Sequence, residues 1–137
     1  MNRHPYLRAY MAGVLLPSWM LLVVLAVIVS GILPESVDRA IIFPMAVVPN
    51  LWGVWNVLYI AMAPRRLSLG VFGAILPLML VPAGLALARV IDLRVYTSGH
   101  ALAILPVGMA VYYLAWKYVV AFFNRVAGLG DAYQRRP

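Results

Sequence analysis

Residues 69–88 read LGVFGAILPLMLVPAGLALA, a run in which no side chain is more polar than Gly or Pro. At about 1.5 Å of rise per residue, such a run crosses a hydrocarbon core of about 30 Å as an α-helix. It lacks the alternation of a membrane-spanning strand, which needs only about ten residues. Working outward, residues 9–33, 41–63 and 101–123 have the same character, and across these four runs Lys117 is the only formal charge.

The breaks are well punctuated. PESVDR (34–39), PRRLS (64–68) and the polar stretch 89–99 separate successive runs, and Thr97 or Ser98 is a candidate cap for the last helix. Short connections favour antiparallel neighbours. The expectation is an all-α integral membrane protein, a four-transmembrane-helix up-and-down bundle with helices at about 9–33, 41–63, 69–91 and 100–123. It forms a single domain over 1–137, with 1–8 as a cytoplasmic arm and 124–137 as a cytoplasmic tail. Arg3 and Arg8 precede the first run as in a signal peptide, but its apolar length exceeds the roughly 7–15 residues of a signal core. It is read as a retained helix.

Composition agrees. Of 137 residues, 65% are hydrophobic and 11% charged, with a mean hydropathy of +0.93. Soluble domains carry about 25% charged residues, so a disordered tail, a coiled coil and a soluble nucleic-acid binder are excluded. With no cysteine, thiol chemistry and disulfides are excluded too.

The net charge of +7 is explained by topology. Four spans put both ends and the Arg65-Arg66 turn on one side, where Arg3, Arg8, Arg65, Arg66, Lys117, Arg125, Arg135 and Arg136 face only Asp131. On the other side Arg39, Arg89 and Arg94 balance Glu35, Asp38 and Asp92. The positive-inside bias makes the basic face cytoplasmic, and the expected location is the bacterial inner membrane. Anionic lipid headgroups are the expected partners of that face, and nucleic acid is not needed to explain it. Lys117, near the inner boundary, is read as snorkelling to the headgroups.

A weak internal repeat accompanies this plan. Gly13-Val14-Leu15-Leu16-Pro17 resembles Gly73-Ala74-Ile75-Leu76-Pro77, Ile42-Phe43-Pro44 resembles Ile104-Leu105-Pro106, and Trp55-Asn56 resembles Trp116-Lys117, at offsets of 60, 62 and 61. Nearly constant offsets are what a parallel duplication of a helical hairpin requires. Chance matches in so restricted an alphabet are the competing explanation.

Enzyme chemistry is not expected. Apart from Lys117 the spans carry no formally charged group of the kind that marks intramembrane catalysis. His4 and His100 lie on opposite sides, so they cannot form a bis-His haem site, and Asp92 with His100 matches no metal ligand set. No cofactor is expected. The informative feature is a mid-depth layer of Ser18, Trp19, Asn50, Trp52, Pro77, Pro82, Tyr112 and Tyr113. Pro17, Pro49, Pro77 and Pro82 each release a carbonyl one turn earlier, at Gly13, Met45, Gly73 and Leu78. Such groups need a protein partner or a watered cavity.

On the second helix Trp52, Asn56 and Tyr59 share a face at i, i+4 and i+7, beside Trp55; on the fourth, Tyr112, Trp116 and Phe123 form a stripe. If the faces meet, Asn50, Trp52, Asn56, Tyr59, Tyr112 and Trp116 line a small-ligand or permeant site. The sequence-level function is therefore an oligomeric transporter or channel-like module. The alternative is a non-catalytic membrane subunit or scaffold, whose polar residues tie helices together and whose partner is another membrane protein. Gly70, Gly73, Ala74, Gly84 and Ala88 are the small residues expected at a homo-oligomer contact.

Overall fold

A computed structural model describes residues 4–32, 35–62, 67–90 and 98–129, with side chains described except at 35–46, 87–88, 90 and 98–104. Every regular element among these residues is helical: α1 Pro5–Val29, α2 Glu35–Met62, α3 Leu69–Val90 and α4 Ser98–Leu114. From α4 the chain continues through a π-helical turn, Ala115–Val120, into α5 Ala121–Val126, making one long rod. Three helical stretches, Pro5–Val29, Leu69–Ala86 and Leu105–Val126, are long and apolar enough to cross a membrane. In α2 the apolar stretch among the described residues is Val47–Met62, which is shorter.

The helix ends follow local chemistry. Pro5 opens α1, where its missing N–H costs nothing, and Gly31 at φ 68° closes it. Ser68 starts α3, its Oγ accepting from the Val71 N–H at 3.4 Å. At the other end of the rod Gly128 takes φ 73°, and the Leu129 N–H reaches back to the Asn124 carbonyl at 2.8 Å.

Three boundaries differ from the sequence reading. The stretch 35–39, expected as a loop, is the first turn of α2, and Pro5 to Arg8, expected as an arm, are helical. Charge keeps a segment out of the hydrocarbon but does not forbid a helix, so the polar turns beyond each apolar run stay wound. Likewise residues 124–126 belong to α5 rather than to a tail. Thr97, Asp92, Arg3, Arg65, Arg66, Arg94, Asp131, Arg135 and Arg136 lie outside the described residues, as do the side chains of Ser98, His100, Glu35, Asp38, Arg39 and the Ile42-Phe43-Pro44 and Ile104 parts of the repeat.

α1 packs along α2, and α3 along the α4–π–α5 rod. Both approaches depend on glycine. A Cβ on Gly13 would sit 2.6 Å from the Trp52 carbonyl oxygen, and one on Gly73 would sit 2.1 Å from the Trp116 ring. Pro17 and Pro77, each four residues further on, are also buried. The two hairpins thus use the same Gly and Pro positions for close packing, against the α2 backbone at Gly13 and against the Trp116 ring at Gly73.

Candidate functional site

The buried residues gather at one end of the molecule. Ala9, Ile60 and Leu129 form a small cluster, bringing together residues near both ends of the described chain. Beside it, Arg8 Nη1 donates to the Ala127 carbonyl at 3.3 Å. Above this lies the main core of Trp52, Phe72, Leu76, Trp116 and Val120, contributed by α2, α3 and the π turn.

The expected aromatic faces do meet. The Trp52 ring lies 4.9 Å from Tyr112 and 5.5 Å from Trp116, while Phe72 of α3 stacks on Trp55 at 4.8 Å and meets Tyr59 at 5.4 Å. Trp55 Nε1 donates to the Phe72 carbonyl at 3.0 Å. These are tilted and offset arrangements that aromatic quadrupoles favour. The layer is filled by its own side chains: Trp116 is fully buried over Gly73, and Trp52 is 3% exposed. Trp52 Nε1 and Trp116 Nε1 have no hydrogen-bond acceptor among the described residues.

Asn56 stands apart from that layer, fully buried and committed to protein partners. Its Nδ2 donates to the Ala9 carbonyl at 2.7 Å and to Asn124 Oδ1 at 2.8 Å, and Asn124 Nδ2 donates back to Asn56 Oδ1 at 3.1 Å. Three helices, α1, α2 and α5, are tied by this reciprocal amide pair. Asn50 is exposed on α2, where its Oδ1 accepts from the Tyr10 hydroxyl. Of the six expected site residues, Trp52, Tyr59, Tyr112 and Trp116 therefore belong to one aromatic assembly, whereas Asn50 and Asn56 face other partners.

The sequence reading missed Asn124 and misplaced Phe123. An unbroken α-helix would bring Phe123 into line with Tyr112 and Trp116. The π turn spends more residues per turn, so the phase lags, and Trp116, Val120 and Asn124 are the residues buried at i, i+4 and i+8. Phe123 packs edge-on against Phe122 instead. A lone amide eight residues beyond Trp116, just past the end of the apolar run, was the available signal. The mid-depth layer also does not converge as a whole: Trp19 is 65% exposed and Pro82 is exposed, while Pro77 is buried.

A cavity of about 370 Å³ opens between the start of α3 and the rod. Its walls include Tyr59, Ser68, Tyr113, Lys117, Asn124 and Arg125. Lys117 Nζ lies 5.3 Å from the Tyr113 ring centre and 5.4 Å from that of Tyr118. Gly70 is expected at a contact between copies but is buried within the chain: a Cβ there would meet Tyr113 at 2.9 Å and Lys117 Cβ at 3.1 Å. Gly73 is likewise occupied by Trp116, and Gly84 alone of the three faces open space.

Fold and site together describe an all-helical protein of membrane-spanning composition, clasped at one end by an amide pair and an aromatic core. Comparison with protein-family models, with curated proteins and with solved structures gave no match.

Proposed function

We propose that the chain is a non-catalytic membrane subunit or scaffold, crossing the membrane four times with both ends cytoplasmic, in which the polar-aromatic residues hold helices together. The observation that carries this reading is the commitment of Asn56, which donates both amide N–H groups, to the Ala9 carbonyl and to Asn124 Oδ1, and whose oxygen accepts from Asn124 Nδ2. The filling of the aromatic layer by Trp52 and Trp116 supports it further, since a permeant or ligand site needs a concavity among its aromatic walls. The charge balance supports the orientation, with its basic side inward.

The transporter reading rests on one observation of its own. Two buried indole N–H groups without an acceptor among the described residues are unusual, because such donors ordinarily find a partner, and a bound acceptor between α2 and the rod would satisfy them. A thermal-shift screen of purified protein against neutral metabolites and small cations separates the two readings. A ligand that binds only the folded state raises stability by about 2.7 kcal/mol at a hundredfold excess over Kd. The scaffold reading expects no such stabilisation, together with a loss of stability in Asn56→Ala. A neutral ligand whose stabilising effect disappears in Trp52→Phe or Trp116→Phe would establish the transporter class instead.

A further inference from the structure

The cavity beside α3 has a chemistry that the packing role does not use. Among the described residues its cations are Lys117 and Arg125, and no carboxylate occurs among the described side chains. Between them in the sequence, at four-residue intervals, stands Ala121, which also lines the cavity and is too small to fill the space they bracket. Three hydroxyl-bearing residues, Tyr59, Tyr113 and Ser68, line the same space. The Ser68 oxygen accepts from the Val71 N–H, which leaves the Ser68 hydroxyl proton available to donate outward. Leu69 and Gly70, also in the wall, are in the first turn of α3, where backbone N–H groups have no acceptor within the helix.

We propose that this cavity binds the phosphate group of an anionic ligand, with Lys117 and Arg125 supplying charge and the hydroxyls of Tyr59, Tyr113 and Ser68 supplying directed donors. The polar part of the wall carries two cations and three hydroxyl-bearing residues among apolar neighbours, with no carboxylate among the described side chains, and this balance favours an anion over a cation. Arg offers a planar fork suited to phosphate oxygens, and Lys a compact charge held over two phenol rings. A volume of about 370 Å³ is many times the roughly 30 Å³ share of one water, so it accommodates phosphate together with the ester group attached to it. Asn124, in the same wall, has its Oδ1 and one of its two Nδ2–H groups engaged by Asn56. The phosphate has two sources, a phospholipid headgroup or a soluble phosphate, and the site recognises what they share.

The test uses the full chain in nanodiscs of phosphatidylcholine with and without phosphatidylglycerol. Native mass spectrometry counts retained lipid, and a parallel thermal-shift titration uses inorganic phosphate. Wild type is expected to retain phosphatidylglycerol, or to be stabilised saturably by phosphate, and the first result identifies lipid as the source while the second identifies the free anion. Loss of one charge-assisted contact weakens binding about tenfold, so Lys117→Gln and Arg125→Gln should each bind about tenfold more weakly. Ala121→Leu, which keeps both charges and fills the space, should abolish binding, and it decides the matter if a charge variant fails to fold. Binding of neither probe by wild type, or unchanged binding by Ala121→Leu, overturns the proposal.

Discussion

Two regions of this molecule contrast sharply although their compositions are alike. At the end where Ala9, Ile60 and Leu129 meet, α1, α2, α3 and the rod bury Trp52, Asn56, Phe72, Trp116, Val120 and Asn124. Beyond Pro17 on α1 and Pro77 on α3, and through residues 105–114 of α4, no described residue is buried. Leu, Val, Met and Trp are present in both regions, so hydrophobicity is not what separates them. In a bilayer, apolar side chains gain nothing by leaving lipid for a protein interior, and association depends instead on close backbone approach, packing and interhelical hydrogen bonds. The packed end has all three devices: glycines at both crossings, interlocked aromatic rings, and the Asn56–Asn124 pair.

The largest test of that contrast removes a ring from each region. Trp116→Ala, which empties the centre of the packed end, should cost about 3–5 kcal/mol in reversible unfolding measured in detergent. Trp19→Ala, on the 65% exposed face of α1, should change stability by no more than about 0.5 kcal/mol. Equal losses would erase the distinction.

A second pair sharpens it at the backbone. Gly73→Ala drives a methyl group into the Trp116 ring and should destabilise by about 1–3 kcal/mol. Gly84→Ala meets nothing within 4 Å and should be neutral or stabilise by about 0.5–1 kcal/mol through helix propensity. The sign of the difference is readable from thermal midpoints of the two variants side by side. A smaller effect belongs to the aromatic layer itself: Trp55→Phe keeps a ring stacked on Phe72 but removes the N–H bond to its carbonyl, for an expected loss of about 0.5–1.5 kcal/mol.

The helices were legible in the sequence because a long run of apolar residues has few other uses, and residues 69–88 leave no other reading. The start of α2 at Glu35 was not, because the apolar run marks where a helix enters lipid rather than where it begins winding. Burial was legible only in part. Trp19 and Trp52 are the same residue type at similar distances along their runs, yet one faces outward and one lies in the core. Residue type does not choose a face when lipid and protein interior are equally apolar. The Asn56–Asn124 pair depends on the phase shift of the π turn, and AWKYVV, its sequence, contains no Gly or Pro to announce it. The basic cavity was hidden for a similar reason. Lys117 reads as a snorkelling residue and Arg125 as part of a tail until the start of α3 and the end of α2 are placed beside them.

The amide pair is the feature on which the proposed clasp depends, since it ties α1, α2 and α5 through buried hydrogen bonds. The decisive measurement is a double-mutant cycle on Asn56→Ala and Asn124→Ala, read as unfolding free energies in detergent. Pairs of this kind couple by about 0.6 kcal/mol on average and up to about 1.7. Full burial and reciprocal bonding place this one toward the upper value, with each single variant destabilised and the double variant little worse than either. Single variants as stable as wild type, with no coupling between them, would contradict the account.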